Sequence, residues 1–238
     1  MNGFEYDASW RGTKDTNRDD TSTEFYYDAR GNVTRVKSIP EIGASNTAII
    51  TTASYPTTCA NPKTCNKPIW TKDARGKQTD YTYNATHGGV LTVTGPAPSS
   101  GAARPQVRYY YAQRTARARN SSGALVNLTP VWRMTRVSTC STGNTCNNTA
   151  DETEILQTYS TRNLIPYKRT TRAGDLSVTS STKTWQDWYG NPDYVDGPLS
   201  GTSDRTYYKY DKSKRLLGVI SPDPDGNGPR LRQAVRYT

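Results

Sequence analysis

Carboxylates beside aromatic rings are the side chains of this sequence that could do chemistry on a sugar. Asp187 lies between Trp185 and Trp188, and a glycoside hydrolase needs a pair of carboxylates near rings on which a sugar can stack. The other carboxylates that stand close to one another in the sequence are Asp19, Asp20, Asp151, Glu152 and Glu154. Carboxylates are also common on β surfaces and in turns, so these residue types alone do not define an active site.

The single histidine, His87, lies in the glycine-rich sequence NATHGGV. Nucleophilic catalysis requires a base beside its nucleophile, yet the sequence has no G-x-S-x-G elbow and no phosphate-binding glycine loop. We interpret His87 as a turn residue and expect no cofactor. His87 and Asp187 are the catalytic candidates if the protein is a hydrolase of carbohydrates or esters, which is the third functional hypothesis.

The four cysteines form two pairs of equal spacing, Cys59 with Cys65 and Cys140 with Cys146. Each pair encloses five residues rich in Pro, Gly, Asn and Thr, a composition that reverses the chain. We predict two local disulfides at hairpin tips, which implies an oxidising compartment. Free thiols are the alternative, and no metal site is expected because zinc ligands are usually spaced more tightly and include histidines.

The composition favours an exposed β structure. Apolar residues make up 33%, and tyrosine contributes 17 residues against 2 phenylalanines; mean hydropathy is −0.85. Tyrosine suits half-buried pleated surfaces. The net charge of +10 favours polyanions, and the densest basic run is RTARARN, residues 114–120. It fits a solvated strand or a site for nucleic acid. No apolar run could span a bilayer, so no membrane partner is expected, and no signal peptide is recognisable.

A sequence motif recurs along the chain. It consists of two aromatic residues separated by one position, an Asp or Asn, a short turn, a segment of alternating apolar residues, and a Pro or Gly at which the strand ends. Tyr81 and Tyr83 lie two apart, as do Tyr208 and Tyr210, so each pair shares one face of a strand. The Asp is expected to accept backbone N–H bonds and the Gly to supply a positive φ. The copies occupy residues 25–43, 69–84, 81–98, 184–201 and 207–226.

Each copy is predicted to form a β-hairpin. Residues 99–183 are more diverged but still read as strands and turns, with one turn at Asn120–Gly123, and no segment has a 3.6-residue apolar period. An all-β fold of consecutive antiparallel hairpins, curved or spiralling, with almost no helix, is therefore predicted. Trp185 and Trp188 would pack across strands, or would stack on a glycan if the surface binds one.

These copies resemble the YD-repeat, or RHS-repeat, family. Tyr27-Asp28-Ala29-Arg30-Gly31-Asn32 matches the family phrase almost fully, and Asp187-Trp188-Tyr189-Gly190-Asn191 keeps its turn. Tyr208-Lys209-Tyr210-Asp211 matches the beginning of the family motif, but Ser213-Lys214-Arg215 stands where the motif has its glycine. The conformation of that turn is therefore not decided by the sequence. The resemblance is strong over residues 22–98 and 184–238 and weak over 99–183.

The resemblance implies a sheet that spirals into a shell around a passenger polypeptide, often a toxin, in secreted, cell-surface or periplasmic bacterial proteins. Residues 1–238 would be one repeat region, an arc of a larger shell without the C-terminal plug or toxin domain. Its partners would be the passenger, the rest of the parent protein and, through open sheet edges, other copies. The second hypothesis is a β module that binds glycans or polyanions such as nucleic acid.

Overall fold

The computed structural model describes residues 3–43, 47–143, 145–226 and 228–237. Within these ranges the chain forms nineteen β-strands and no helix, which confirms the predicted all-β class. Most strands pair antiparallel with the next strand in sequence. No helix of the described part has the length and apolarity needed to cross a membrane.

The chain divides into two compact units, Met1–Arg108 and Tyr109–Thr238. In the first unit each strand pairs antiparallel with the next one in sequence. Its strands are β1 (Gly3–Tyr6), β2 (Gly12–Thr16), β3 (Ser22–Tyr27), β4 (Val33–Ile39), β5 (Ile49–Ser54), β6 (Trp70–Lys72), β7 (Gln78–Tyr83), β8 (Val90–Thr94) and the start of β9 (Gln106–Arg114).

The second unit contains the end of β9 and ten further strands. β12 to β19 pair in sequence order, β12 also pairs with β9, and β10 and β11 form a separate two-stranded hairpin. These strands are β10 (Arg117–Arg119), β11 (Leu125–Asn127), β12 (Val131–Cys140), β13 (Glu152–Tyr159), β14 (Pro166–Ala173), β15 (Thr179–Gln186), β16 (Pro192–Asp196), β17 (Thr206–Tyr210), β18 (Leu216–Ile220) and β19 (Ala234–Arg236).

Little of the described chain is fully buried. The buried apolar side chains are Cys65, Cys140, Cys146 and Leu164, and most strand residues are only half-buried. The 26.4 kDa chain exposes 15731 Å², whereas two separate compact bodies of half that mass would together expose about 12,800 Å². The excess of about 2,900 Å² shows that much of the sheet surface lacks a covering layer.

Candidate functional site

The structure shows the repeated turn in full at Asp28. The Asp28 N–H donates to the Asn32 carbonyl at 2.9 Å, and the Gly31 N–H donates to the Asp28 carbonyl at 3.0 Å. Asp28 Oδ1 accepts the backbone N–H groups of Arg30 and Asn32, both at 2.9 Å. Gly31 adopts a φ of 85°, and the strand register shifts immediately before the turn, between Tyr26 and Tyr27. This is a type I turn closed by a left-handed residue, a common hairpin connection.

The same backbone bonds recur in six other turns, beginning at Asp7, Asn17, Asp73, Asn120, Asp187 and Asp211. The sequence did not decide the conformation of the turn at Asp211, because this copy lacks the motif glycine. The turn nevertheless makes the same backbone bonds: the Lys214 N–H donates to the Asp211 carbonyl at 3.0 Å, and Lys214 takes the left-handed conformation, with a φ of 65°. Trp10 holds the corresponding place after Asp7 with a φ of 60°. The Asp or Asn side chain is therefore the shared feature of these turns, and glycine is not.

Replacing Trp10 with Gly is expected to raise the free energy of unfolding by about 0.5–1 kcal/mol. A residue other than glycine is destabilised by about 1–2 kcal/mol in a left-handed conformation, and glycine removes this strain. Glycine also gives the unfolded chain more conformational freedom, which cancels part of the stabilisation. Trp10 is 85% exposed, so little packing is lost. The matched variant at the equivalent position, Gly31→Ala, should lower the free energy by about 1 kcal/mol. Urea titrations of both variants measure the effect, and a destabilised Trp10→Gly protein would contradict it.

The tyrosine that precedes the turn ties its hairpin to a neighbouring part of the chain. The Tyr27 hydroxyl donates to the Gly12 carbonyl at 2.7 Å, and the Tyr83 hydroxyl donates to the Pro68 carbonyl at 2.9 Å. Tyr159, in a diverged copy, donates to the Met134 carbonyl at 2.7 Å. The phenol thus satisfies a backbone acceptor fifteen or more residues away in sequence, and burial raises the pKa of Tyr83.

The paired tyrosines of the later copy also lie on the more buried face of their strand. Tyr208 and Tyr210 are half-buried, whereas Lys209 between them is exposed. Burial raises the pKa of Tyr210. Tyr81 and Tyr83 are likewise half-buried on either side of the exposed Thr82, as expected for side chains two apart in a strand.

Both cysteine pairs form disulfides in the structure, Cys59 with Cys65 and Cys140 with Cys146. The first loop contacts the turn at residues 84–89: Asn61 Nδ2 donates to the Ala85 carbonyl at 2.8 Å, and Lys63 Nζ donates to the Thr86 carbonyl. Arg30 reaches the other side of the same loop, donating to the Thr57 carbonyl at 3.0 Å. The loop therefore joins two turns, a larger role than closing a hairpin tip. No metal-binding cluster of His, Cys, Asp and Glu occurs in the described ranges.

Replacing both members of either pair with serine is expected to lower the free energy of unfolding by about 2 kcal/mol, the loop-closure value for so short a ring. Chemical denaturation of Cys59→Ser/Cys65→Ser against the unreduced wild type measures the loss. As a control, dithiothreitol should shift the wild-type midpoint but leave unchanged a variant lacking all four cysteines. Thiols that label in the native, unreduced protein would contradict the pairing.

His87 has the contacts of a turn residue. Its backbone N–H donates to Asn84 Oδ1 at 3.1 Å, and its ring Nδ1 accepts the Gly89 N–H at 3.0 Å. It lies in the first unit and Asp187 lies in the second. Neither contact supplies a nucleophile, so the geometry gives no support to catalysis by His87.

Asp187 serves its own turn. Oδ1 accepts the N–H groups of Tyr189 and Asn191 at 2.8 and 3.0 Å, and Oδ2 accepts Lys214 Nζ at 2.8 Å. The bond from Lys214, followed by the backbone bonds, lowers the pKa of Asp187 to about 2. A carboxyl that is ionised at all physiological pH values cannot act as the proton donor of a glycosidase.

The other carboxylates considered as catalytic pairs are also occupied by structural partners. Glu154 pairs with Arg136 at 2.7 Å and Arg172 at 2.6 Å. Glu152 accepts the Ser138 hydroxyl and, at 2.8 Å, the Asn148 N–H. Asp19 accepts a hydrogen bond from the Thr21 hydroxyl at 2.7 Å, and Asp151 accepts one from the Thr142 hydroxyl at 2.8 Å. Asp20 is the left-handed residue of a turn, with a φ of 60°.

An open cleft of about 400 Å³ lies beside Asp187 in the second unit. Its wall includes Trp185, Arg162 and Lys183. Trp185 stacks against Tyr194, its cross-strand neighbour, with centroids 6.0 Å apart and planes inclined by 5°, yet it remains 50% exposed. Trp188 does not line the cleft; the guanidinium of Arg162 lies 4.6 Å from the centre of its ring. The two tryptophans therefore do not form one stacking platform.

Cations over aromatic rings are a feature that the sequence reasoning missed. Arg11 lies 4.8 Å from the centre of the Tyr27 ring, Arg136 lies 3.7 Å from that of Tyr110, and Arg205 lies 4.2 Å from that of Tyr194. Such contacts add stability and cover aromatic surface that a core would otherwise bury. Arg11 and Tyr27 are sixteen positions apart, so only the strand pairing could have revealed the contact.

No protein-family model and no curated protein sequence matches the chain. Among solved structures it is similar to a chain in the crystal structure of TcdB2-TccC3-Cdc42, with a TM-score of 0.60 and 11% identity over 92% of this chain and 10% of the other. A second, the crystal structure of TcdB2-TccC3 without hypervariable C-terminal region, gives a TM-score of 0.55 and 11% identity, over 93% of this chain and 11% of the other. The chain thus has the fold of a part of these proteins, and it spans only about one tenth of their length.

Proposed function

We propose that this chain is a structural segment of a bacterial RHS/YD-repeat protein, in which the repeat region encloses or presents a passenger polypeptide such as a toxin. The observation that carries the proposal is the sheet surface, about 2,900 Å² more than two compact bodies would expose. A repeated hairpin with so little buried apolar surface gains stability when something covers its face.

Two further observations support this role. The turn at Asp28 recurs at Asp73, Asp187 and Asp211, as expected of a structure built by repetition. The similar TcdB2-TccC3 chains are about ten times as long. On this proposal, residues 1–238 are one repeat region and an arc of a larger shell. The two disulfides fit a secreted, cell-surface or periplasmic location, and copies of the isolated arc associate through open edges.

The test uses the full-length protein that contains this sequence, with a protease site placed in the polypeptide that follows the repeats. The passenger should resist protease in the intact protein and become cleaved when Gly31→Val and Gly190→Val strain two repeat turns. Ile42→Ser, a change at a side chain that is 85% exposed, is the matched control and should keep the protection. Equal cleavage in the wild type and both variants would overturn the enclosing role.

A glycan- or polyanion-binding module is the second candidate, and the cleft favours it. Trp185 offers a half-exposed ring, while Arg162 and Lys183 supply positive charge beside it. Glycan-array binding or salt-sensitive binding of nucleic acid that is lost in Trp185→Ala, but kept in Trp10→Ala, would establish this function. A hydrolase remains third, and its test is a fluorogenic glycoside and ester panel compared between wild type and Asp187→Asn.

A further inference from the structure

A long part of the sequence carries positive charge without any negative charge. Residues 81–150 contain seven arginines and neither Asp nor Glu. Two of the arginines pair with carboxylates outside this stretch, Arg104 with Asp80 at 2.5 Å and Arg136 with Glu154 at 2.7 Å. In the described part of the chain no ion pair is made by Arg114, Arg117, Arg119 or Arg133, so their charge faces solvent.

Two of these arginines belong to the β10–β11 hairpin. Arg117 Nε donates to Asn127 Oδ1 at 3.2 Å, which places the guanidinium over β11. Arg119 Nη1 donates to the Gly123 carbonyl at 2.5 Å, at the tip of the hairpin. Both contacts are to neutral oxygens, so each guanidinium keeps its charge and further donors for an incoming carboxylate.

One edge of β11 is unpaired among the described strands. β11 pairs only with β10, in the register Arg119 to Leu125 and Arg117 to Asn127. The Asn120 N–H donates to the Ala124 carbonyl and the Leu128 N–H to the Ala116 carbonyl. Backbone groups alternate in direction along an antiparallel strand, so those of Leu125 and Asn127 point away from β10. They form a free edge that can accept another strand.

The opposite edge of the hairpin is already used. The Arg117 N–H, on β10, donates to the Arg162 carbonyl at 2.9 Å. A partner that extends this small sheet must therefore lie along β11.

Exposed apolar side chains accompany this edge. Leu125, Val126 and Leu128 are 46, 38 and 47% exposed. A purely polyanionic ligand would gain nothing from aliphatic side chains, whereas a polypeptide strand can cover them while its backbone pairs with the edge.

We propose that β11 is a docking edge for an extended, acidic segment of another polypeptide, one in which carboxylate and apolar residues alternate. The segment adds a strand along Leu125–Asn127, its carboxylates bind Arg117 and Arg119 on the face that carries Leu125, and its apolar residues cover Val126 and Leu128 on the opposite face. A second copy of this chain is a poor occupant, because β11 against β11 would bring the arginines of two hairpins together. The inference does not depend on the enclosing role proposed above.

The experiment titrates the intact 238-residue protein with a fluorescent peptide of about nine residues in which glutamate and valine alternate, long enough to pair with a short strand. Binding should weaken about threefold in each of Arg117→Gln and Arg119→Gln. It should weaken at least about tenfold in Leu125→Pro, which removes an outward N–H and leaves the β10–β11 bonds intact. Leu125→Ala, which keeps the outward N–H and changes a side chain on the face of the arginines, is the matched control and should bind like wild type.

A second measurement protects the test against misfolding of the proline variant. In the wild-type protein, the amide protons of Leu125 and Asn127 should become protected from exchange with water when the peptide binds, and that of Arg117 should not change. Absence of binding, equal binding of a lysine–valine peptide, or equal binding of single-stranded DNA or heparin would each overturn the inference. The last result would show general attraction of polyanions instead of strand pairing.

Discussion

Replacing Glu154 with Ala is expected to lower the free energy of unfolding by about 3 kcal/mol. The Glu154 side chain is only 4% exposed and bridges two arginines, Arg136 on β12 and Arg172 on β14. β13, which carries Glu154, lies between these strands. Removing the carboxylate leaves two half-buried guanidinium groups facing each other without a counter-charge. Urea denaturation at neutral pH measures the change.

A triple variant separates the interaction from simple packing. Replacing all three members with apolar residues, Arg136→Met, Glu154→Leu and Arg172→Met, should recover most of the stability, because a buried ion triad can often be exchanged for hydrophobic contacts without loss. The Arg136 guanidinium also lies 3.7 Å from the centre of the Tyr110 ring, and methionine keeps a favourable contact there. If Glu154→Ala were as stable as wild type, the triad would have no structural importance.

The local parts of this fold could be predicted from sequence. The turn at Asp28 depends on residues within five positions, and the roles of its Asp and Gly follow from their own chemistry. The strand pattern follows from alternation, so the all-β class was predictable as well. Lys214 shows the limit of the local rule, since it takes a left-handed conformation that sequence reasoning assigns to glycine.

The contacts that occupy the candidate site residues are distant in sequence, and no periodicity reveals them. Lys214 reaches Asp187 across 27 positions, and that contact, more than any other, lowers the pKa of Asp187. The Tyr83 hydroxyl reaches the Pro68 carbonyl across fifteen positions. Only the register of the strands brings these groups together, so a carboxylate beside tryptophans could look catalytic in the sequence and be structural in the fold.

Acidification is expected to unfold the protein, with stability falling between about pH 4 and pH 2. The five turn aspartates, Asp7, Asp28, Asp73, Asp187 and Asp211, all have lowered pKa values. For Asp7, Asp73 and Asp211 the main cause is the hydrogen bond from the backbone N–H four residues later. For Asp187 it is Lys214, which lowers the pKa to about 2.

The direction follows from the sign of these shifts. A carboxyl whose pKa is lower in the folded than in the unfolded state stabilises the fold above its unfolded pKa, near 3.9, and loses that contribution as the pH falls through its folded pKa. Protonation also removes the charge of the 21 acidic residues while 31 Lys and Arg remain positive, and their repulsion adds to the loss. Urea midpoints at pH 7, 4, 3 and 2 measure the dependence.

The chain itself supplies the matched control, because Asn120 closes the same turn with an amide oxygen that accepts the N–H groups of Ser122 and Ala124 at 3.1 and 2.9 Å. A variant with asparagine at all five aspartate positions should keep the turns and lose the ion pairs, such as that of Asp187 with Lys214. It should be less stable than wild type at pH 7 but lose less on acidification, so that the two curves converge towards pH 2. Parallel curves would show that the turn aspartates do not couple folding to pH and that charge repulsion alone unfolds the protein in acid.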